Sequence, residues 1–371
     1  MGTQCSSFRF EVLARCGNAR RGRLYTQRGP VDTPAFMPVG TQGTVKAMTP
    51  GNLRKAGAQI ILSNTYHLHL RPGEDLIETI GGLHEFMAWD GPILTDSGGY
   101  QVFSLAKLRE LTDNGIVFQS HIDGSRRSLT PEKAIDIQEK LGSDIMMALD
   151  ECVPYPSSEK EAFDAVRRTT SWAGRCIDAR STDNAMFGIV QGGVYKNLRE
   201  MSAAQICGIP FDGFAIGGLS VGEGHEIMMD VLDYTAPLLP EEKPRYLMGV
   251  GTPLDIVEAV ARGIDMFDCV LPTRNARNGQ LFTLNGKITL KQAKYRLEKS
   301  PPDENCTCYT CRNFSLAYLR HLFISGEILS SVLATIHNLH FYLELMYKMR
   351  HAVENQYLDK LRSSIKEMYN V

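Results

Sequence analysis

No apolar run in the 371-residue chain approaches the length of a membrane-spanning helix, and no secretory signal opens it. Charge of one sign is missing too: 40 Lys and Arg against 42 Asp and Glu leave a formal net charge of −2. Any contact with nucleic acid therefore has to come from a local patch. A paired cysteine framework is also lacking. Nine cysteines are an odd number in a long chain, and six are scattered singly, which points to a reducing, cytoplasmic setting. No glycine-rich loop matches a dinucleotide fingerprint or a P-loop in the required context, which sets nucleotide-cofactor chemistry aside. The opening MGTQCS fits a myristoylation pattern, but no second membrane signal lies near it.

What is present is ordinary for a soluble enzyme, 43% hydrophobic and 22% charged. Short apolar runs recur at roughly even spacing: AFMPV (35–39), QIILS (59–63), PILT (92–95), DIMMAL (144–149), AMFGIV (185–190), GFAI (213–216), RYLMGV (245–250) and DMFDCV (265–270). Amphipathic segments such as PEKAIDIQEKLG and PLDIVEAVARG lie between them. Strands alternating with helices imply a parallel sheet covered on both faces. Eight such runs predict a closed (β/α)8 TIM barrel, with an open doubly wound sheet as the alternative. A segment that breaks the pattern, IVFQSHIDGSRRSL (116–129), alternates and turns at Asp123-Gly124, which predicts a hairpin.

The ends of the eight runs are polar and glycine-rich, reading SNTYH, DSGGYQ, DECVPYP, QGG, GGLSVGEG, GVGTP and PTRNARNGQ after the second to the eighth. Turn residues alone would explain one such loop. So many loops carrying Asp, Gln, Tyr and Arg predict one shared site at the rim where barrel active sites are built. Three aspartates stand at strand ends: Asp96, Asp150 and Asp268. Paired carboxylates across a pocket suit glycosidic-bond chemistry, one as nucleophile and one as acid or base. Asp265 lies on the opposite face of its strand from Asp268, so only one of the two can point into the mouth.

Near the C-terminus, ENCTCYTCRN places Cys306, Cys308 and Cys311 together, and His337 follows 26 residues after the last of them. Three thiolates and one imidazole can complete a tetrahedral zinc site, with His340 and His321 as rival fourth ligands. Such a closed set leaves no position for substrate, so its role would be structural. From Arg274 to Lys299 there are seven basic residues and one acid, Glu298. Beside the rim, that stretch (Arg274, Arg277, Lys287, Lys291 and Lys294 foremost) reads as a phosphate-backbone contact surface.

Taken in order, DSGGYQVF, DECVPYP, VQGG, GGLSVGEG, DCVLPTRNARNGQ and the CxCxxC with its later His resemble the tRNA-guanine transglycosylase family over essentially the whole chain. The resemblance implies a single (β/α)8 catalytic domain spanning 1–371, with a zinc-binding subdomain inserted at 280–345. It implies exchange of the wobble guanine in tRNA anticodon loops for a 7-deazaguanine base, and action as a homodimer. Carried over by position, Asp268 resembles the nucleophile and Asp96 the general acid/base. Asp150, Gln191, Gly218 and Leu219 resemble the base-reading set, with Ser97 and Gln101 beside them. Tyr100 and Met248 resemble the pair that sandwiches the base. Cys306, Cys308, Cys311 and His337 fall on the zinc ligands, and Arg274 and Arg277 on the anticodon-loop contacts. Val221 and Cys152 look bacterial, which implies 7-aminomethyl-7-deazaguanine rather than bulkier queuine. The archaeal branch adds RNA-binding C-terminal domains, so the end at Val371 disfavours archaeosine chemistry. The nucleophile must stay ionised, and the cationic loop after it is expected to help.

Overall fold

The computed structural model describes residues 8–105 and 108–369, so the opening MGTQCS lies outside the described residues. Strands Ala35–Gly40, Ile61–Ser63, Ile93–Thr95, Ile145–Met147, Ala185–Val190, Gly213–Ile216, Arg245–Leu247 and Met266–Cys269 pair in parallel and close into a barrel. The first strand pairs with the eighth, Ala35 opposite Met266 and Phe36 opposite Phe267. Their apolar runs are continuous because both faces are covered. Met37, Leu62, Leu94, Met147, Ile189, Tyr246 and Met266 fill the interior. Phe36, Ile61, Ile93, Met146, Phe214, Leu247 and Phe267 pack outward against the helices.

The helices start where side chains satisfy their free N–H groups. Thr130 and Thr252 cap helices that carry proline in the first turn. Ser158 and Glu161 form a reciprocal capping box at the head of Glu159–Ala179.

Two small sheets decorate the ring. The predicted hairpin at 116–129 is there, as Gly115–Gln119 and Arg126–Leu129, but a third strand, Arg109–Thr112, completes it. The other sheet, Arg9–Cys16, Ala19–Thr26 and Gly29–Thr33, has no forerunner in the sequence reading. It covers the end at which the barrel strands begin. Phe8, Phe10, Leu24 and Val31 join the interior cluster, with Phe8 edge-on to Phe187 at 5.8 Å between centroids. Arg20, fully buried, donates to Asp265 from both Nε and Nη2, and to the carbonyls of Glu241 (2.7 Å) and Lys243 (3.0 Å).

Beyond the eighth strand come a short helix (Leu271–Arg277), a hairpin (Gln280–Thr283 with Gly286–Thr289), helices Tyr309–Asn313 and Leu316–Ile324, and the 27-residue helix Ile328–Glu354. Ala276, Leu281, Leu290, Leu316, Leu319, Leu322, Leu333 and Ala334 form a separate small core there. The long helix continues onto the barrel wall through Leu339, Phe341, Tyr342, Met346 and Met349. Among the described residues no helix is long and apolar enough to cross a membrane.

Candidate active site

Asp96 follows the third barrel strand and Asp268 ends the eighth, three strands away around the ring. Asp96 is nearly buried, and the loop after the second strand holds it. Thr65 N donates to its Oδ1 at 2.9 Å, and Asn64 Nδ2 donates to its Oδ2 at 2.5 Å. Burial pushes the carboxyl up to about 7 despite those donors, and the charges of Asp268 and Asp150 add to the rise. It is therefore poised to give or take a proton near neutrality.

Asp268 takes Tyr246 Oη at 2.6 Å and Gly249 N at 2.7 Å, both on Oδ1. Burial raises this carboxyl too, and the tyrosine and the backbone N–H act against that rise. The help expected from the cationic loop is not what offsets burial. Two neutral donors do that, and neither arginine of the helix Leu271–Arg277 is among the groups that hold the carboxyl down. The phenol of Tyr246 is itself buried and pushed well above its ordinary value, so it remains a donor.

Asp150 stands within electrostatic reach of Asp96, accepting from Gln191 Nε2 at 2.7 Å and from Ser97 Oγ at 3.2 Å. Burial lifts it to about 6, with those two hydrogen bonds opposing the shift. Gln191 is buried, and its Oε1 has no partner. Gly218 takes a left-handed φ of +68°, and a Cβ there would stand 2.4 Å from that oxygen, so only glycine fits. The Gly218 N–H faces the thiol of Cys152, which burial pushes up to about 12. Leu219 is buried, and Val221 and Met248 are half-buried at the mouth. Tyr100 is 45% exposed, with Arg274 and Cys152 within electrostatic reach. Gln101 has a buried Oε1 with no partner.

Of the proposed RNA contacts, Arg274 is exposed near Tyr100, and Arg277 donates to the Thr273 carbonyl at 2.8 Å. Lys287, Lys291 and Lys294 are exposed and lie over aromatic rings of their own segment, Phe282, Phe323 and Tyr295. Several residues of the site escaped the sequence reading. Asn64, Thr65 and Tyr246 hold the two acids, and Glu223 accepts from Ser220 N (2.5 Å) and Val221 N (2.9 Å) to fold its loop. The signal for Asn64 and Thr65 was the polar SNTYH, legible only as rim.

Cys306, Cys308, Cys311 and His337 place one donor atom each within 4.8 Å of one another. Their sulfurs lie 3.8, 3.7 and 3.2 Å from His337 Nδ1. A tetrahedral ion with bonds of about 2.3 Å needs donors roughly 3.7 Å apart, so the set fits a metal. Nε2 of His337 meets the Phe282 carbonyl at 2.8 Å, which turns Nδ1 toward the thiols. The rivals fall away: His340 pairs with Thr307 at 3.4 Å, and His321 is not among the converging donors.

Residues 16–371 match the family model described as queuine tRNA-ribosyltransferase. Proteins named queuine tRNA-ribosyltransferase are similar along nearly all their length. That of Pelotomaculum thermopropionicum is 57% identical over 364 residues, 98% of each chain. That of Halothermothrix orenii is 56% identical over 366 residues, again 98% of each. That of Acetivibrio thermocellus is 56% identical over 359 residues, 95% of this chain and 96% of the relative.

Proposed function

The chain belongs to the queuine tRNA-ribosyltransferase family, and from that membership we propose that it is a pentosyltransferase exchanging the wobble guanine of tRNA anticodon loops for 7-aminomethyl-7-deazaguanine in queuosine biosynthesis. The carrying observation is the pair of carboxyls: Asp96 held up at about 7, and Asp268 tethered through one oxygen only.

In the first displacement Asp268 Oδ2 attacks the ribose anomeric carbon and a C–O bond forms. The glycosidic C–N bond breaks, and its electron pair leaves with guanine, which takes a proton from Asp96. In the second, Asp96 removes a proton from the incoming base. The freed nitrogen attacks the same carbon and Asp268 departs as carboxylate. Two inversions retain the configuration. Ionised Asp150 accepts from the N1–H and amine of the base, while Gln191 and the backbone at Gly218 and Leu219 donate to its carbonyl. Ser97 and Gln101 complete that wall, Tyr100 and Met248 hold the ring by stacking, and Cys152 and Val221 border the 7-substituent.

Arg274 and Arg277 contact the anticodon loop. Segment 280–345 is the inserted subdomain, held by one structural zinc ion, and the protein works as a cytoplasmic homodimer. Incorporation of radiolabelled guanine into tRNA tests the reaction. Competition between 7-aminomethyl-7-deazaguanine and queuine tests the base preference, with the smaller base expected to win; a queuine preference would remove the Val221 and Cys152 argument. One equivalent of zinc per chain is expected by elemental analysis, falling to none in Cys308→Ser.

A further inference from the structure

Arg199, on the helix Lys196–Cys207, is fully buried, and no carboxylate lies within ion-pair distance of it among the described residues. A buried guanidinium is costly unless its donors are used. Three of its bonds go to backbone carbonyls of the site: Gly193 at 2.8 Å, Val190 at 2.9 Å and Gly217 at 2.8 Å. Those carbonyls belong to the ends of the fifth and sixth barrel strands, which carry Gln191 and Gly218. Its remaining nitrogen, Nη2, has no partner and would lie 3.5 Å from a Cβ built on Gly218.

The Gly217 carbonyl and the Gly218 N–H are two ends of one planar trans peptide, so they point in opposite directions. Pulling the carbonyl onto a cation fixes that plane and aims the N–H away from Arg199, toward the side where Cys152 and Asp150 stand. The same bond polarises the peptide and strengthens the N–H as a donor. Gly218 has a left-handed φ and no room for a side chain, so the guanidinium holds a peptide that is otherwise free to turn.

We propose that Arg199 is a positioning residue for base recognition: through the Gly217–Gly218 peptide it sets and strengthens the donor that reads the 6-carbonyl of a guanine-like base. This rests on the reading above that the pocket takes such a base. The Val190 bond braces the residue before Gln191, whose own N–H is taken by Ser202 Oγ at 3.1 Å.

The test compares guanine with 2-aminopurine, which keeps the amine but lacks the 6-carbonyl and the N1–H that goes to Asp150. Dissociation constants for both are measured on wild type, Arg199→Met and Arg199→Lys, along with KM and kcat for guanine exchange. Wild type should bind guanine at least about tenfold more tightly than 2-aminopurine. In Arg199→Met that ratio should fall several-fold, to what the N1–H contact with Asp150 alone sustains, with 2-aminopurine affinity unchanged and KM rising more than kcat falls. Arg199→Lys, which keeps charge but not the fork, should lie between. A parallel loss of both bases would mark a purely structural role and overturn the proposal. So would an unchanged ratio, and so would equal binding of the two bases by wild type, which needs no variant to fold. Failure of the broader reading looks different: wild type would then incorporate no guanine into tRNA and bind neither base.

Discussion

Asp265 and Asp268 stand three residues apart at the two ends of one barrel strand, and the fold treats them in opposite ways. Asp265, at the floor, is fully buried and gripped by Arg20. Asp268, at the mouth, is met only by a phenol and a backbone N–H on one oxygen. The floor acid is satisfied and inert, while the mouth acid is left partly unsatisfied and available. Across the mouth Asp96 and Asp150 follow the second pattern, with neutral donors and carboxyls lifted by burial to about 7 and about 6. Under the proposed reading, unneutralised acid is where chemistry is kept, and neutralised acid is where the barrel is fastened.

The contrast breaks most visibly in paired substitutions. Asp268→Ala should lower guanine exchange by three orders of magnitude or more, on the order expected for a nucleophile, with tRNA binding and melting temperature nearly unchanged. Asp265→Ala should do the reverse. Arg20 would be left buried without its carboxylate, costing about 3–5 kcal/mol in denaturant unfolding, while the folded fraction keeps its kcat. If Asp265→Ala spoiled kcat in properly folded protein, the division between floor and mouth would be wrong.

A smaller effect is read in pH. Carboxyls whose folded pKa lies above the unfolded value add stability that is complete below about 4 and is lost as pH rises through the folded value. For Asp96 and Asp150 that window runs from about 4 to about 7. Asp96→Asn should gain on wild type across it, by up to a few kcal/mol, measured as unfolding free energy against pH. A gain that did not grow with pH would remove the argument that burial holds this acid up. The smallest effect belongs to the exposed rim. Arg274→Ala should raise the KM for tRNA a few-fold and reduce the salt slope of binding by about one. Lys291→Ala should do less, since that ammonium already lies over Phe323.

The sequence carried the barrel because each strand is an apolar run bounded by polar, glycine-rich turns, and five of the eight runs match observed strands to within a residue at either end. Motif order carried the acids and the metal donors. The floor sheet was invisible: RFEVLARC and ARRGRLYT mix arginines into every alternation, and only packing beneath the barrel makes Arg20 an interior residue. Arg199 was hidden likewise, one cation on an amphipathic helix, indistinguishable by spacing from a solvated one. The lysines at 287, 291 and 294 were legible only in part. Their charge was legible, but their aromatic neighbours come from pairing and helix packing that no run of residues displays.

The sheet formed between Arg9 and Thr33 stoppers the barrel at one end, so whatever enters and leaves must share a single doorway. Under the proposed exchange, outgoing and incoming bases would pass that doorway in turn, and a ping-pong rate law is the expected signature.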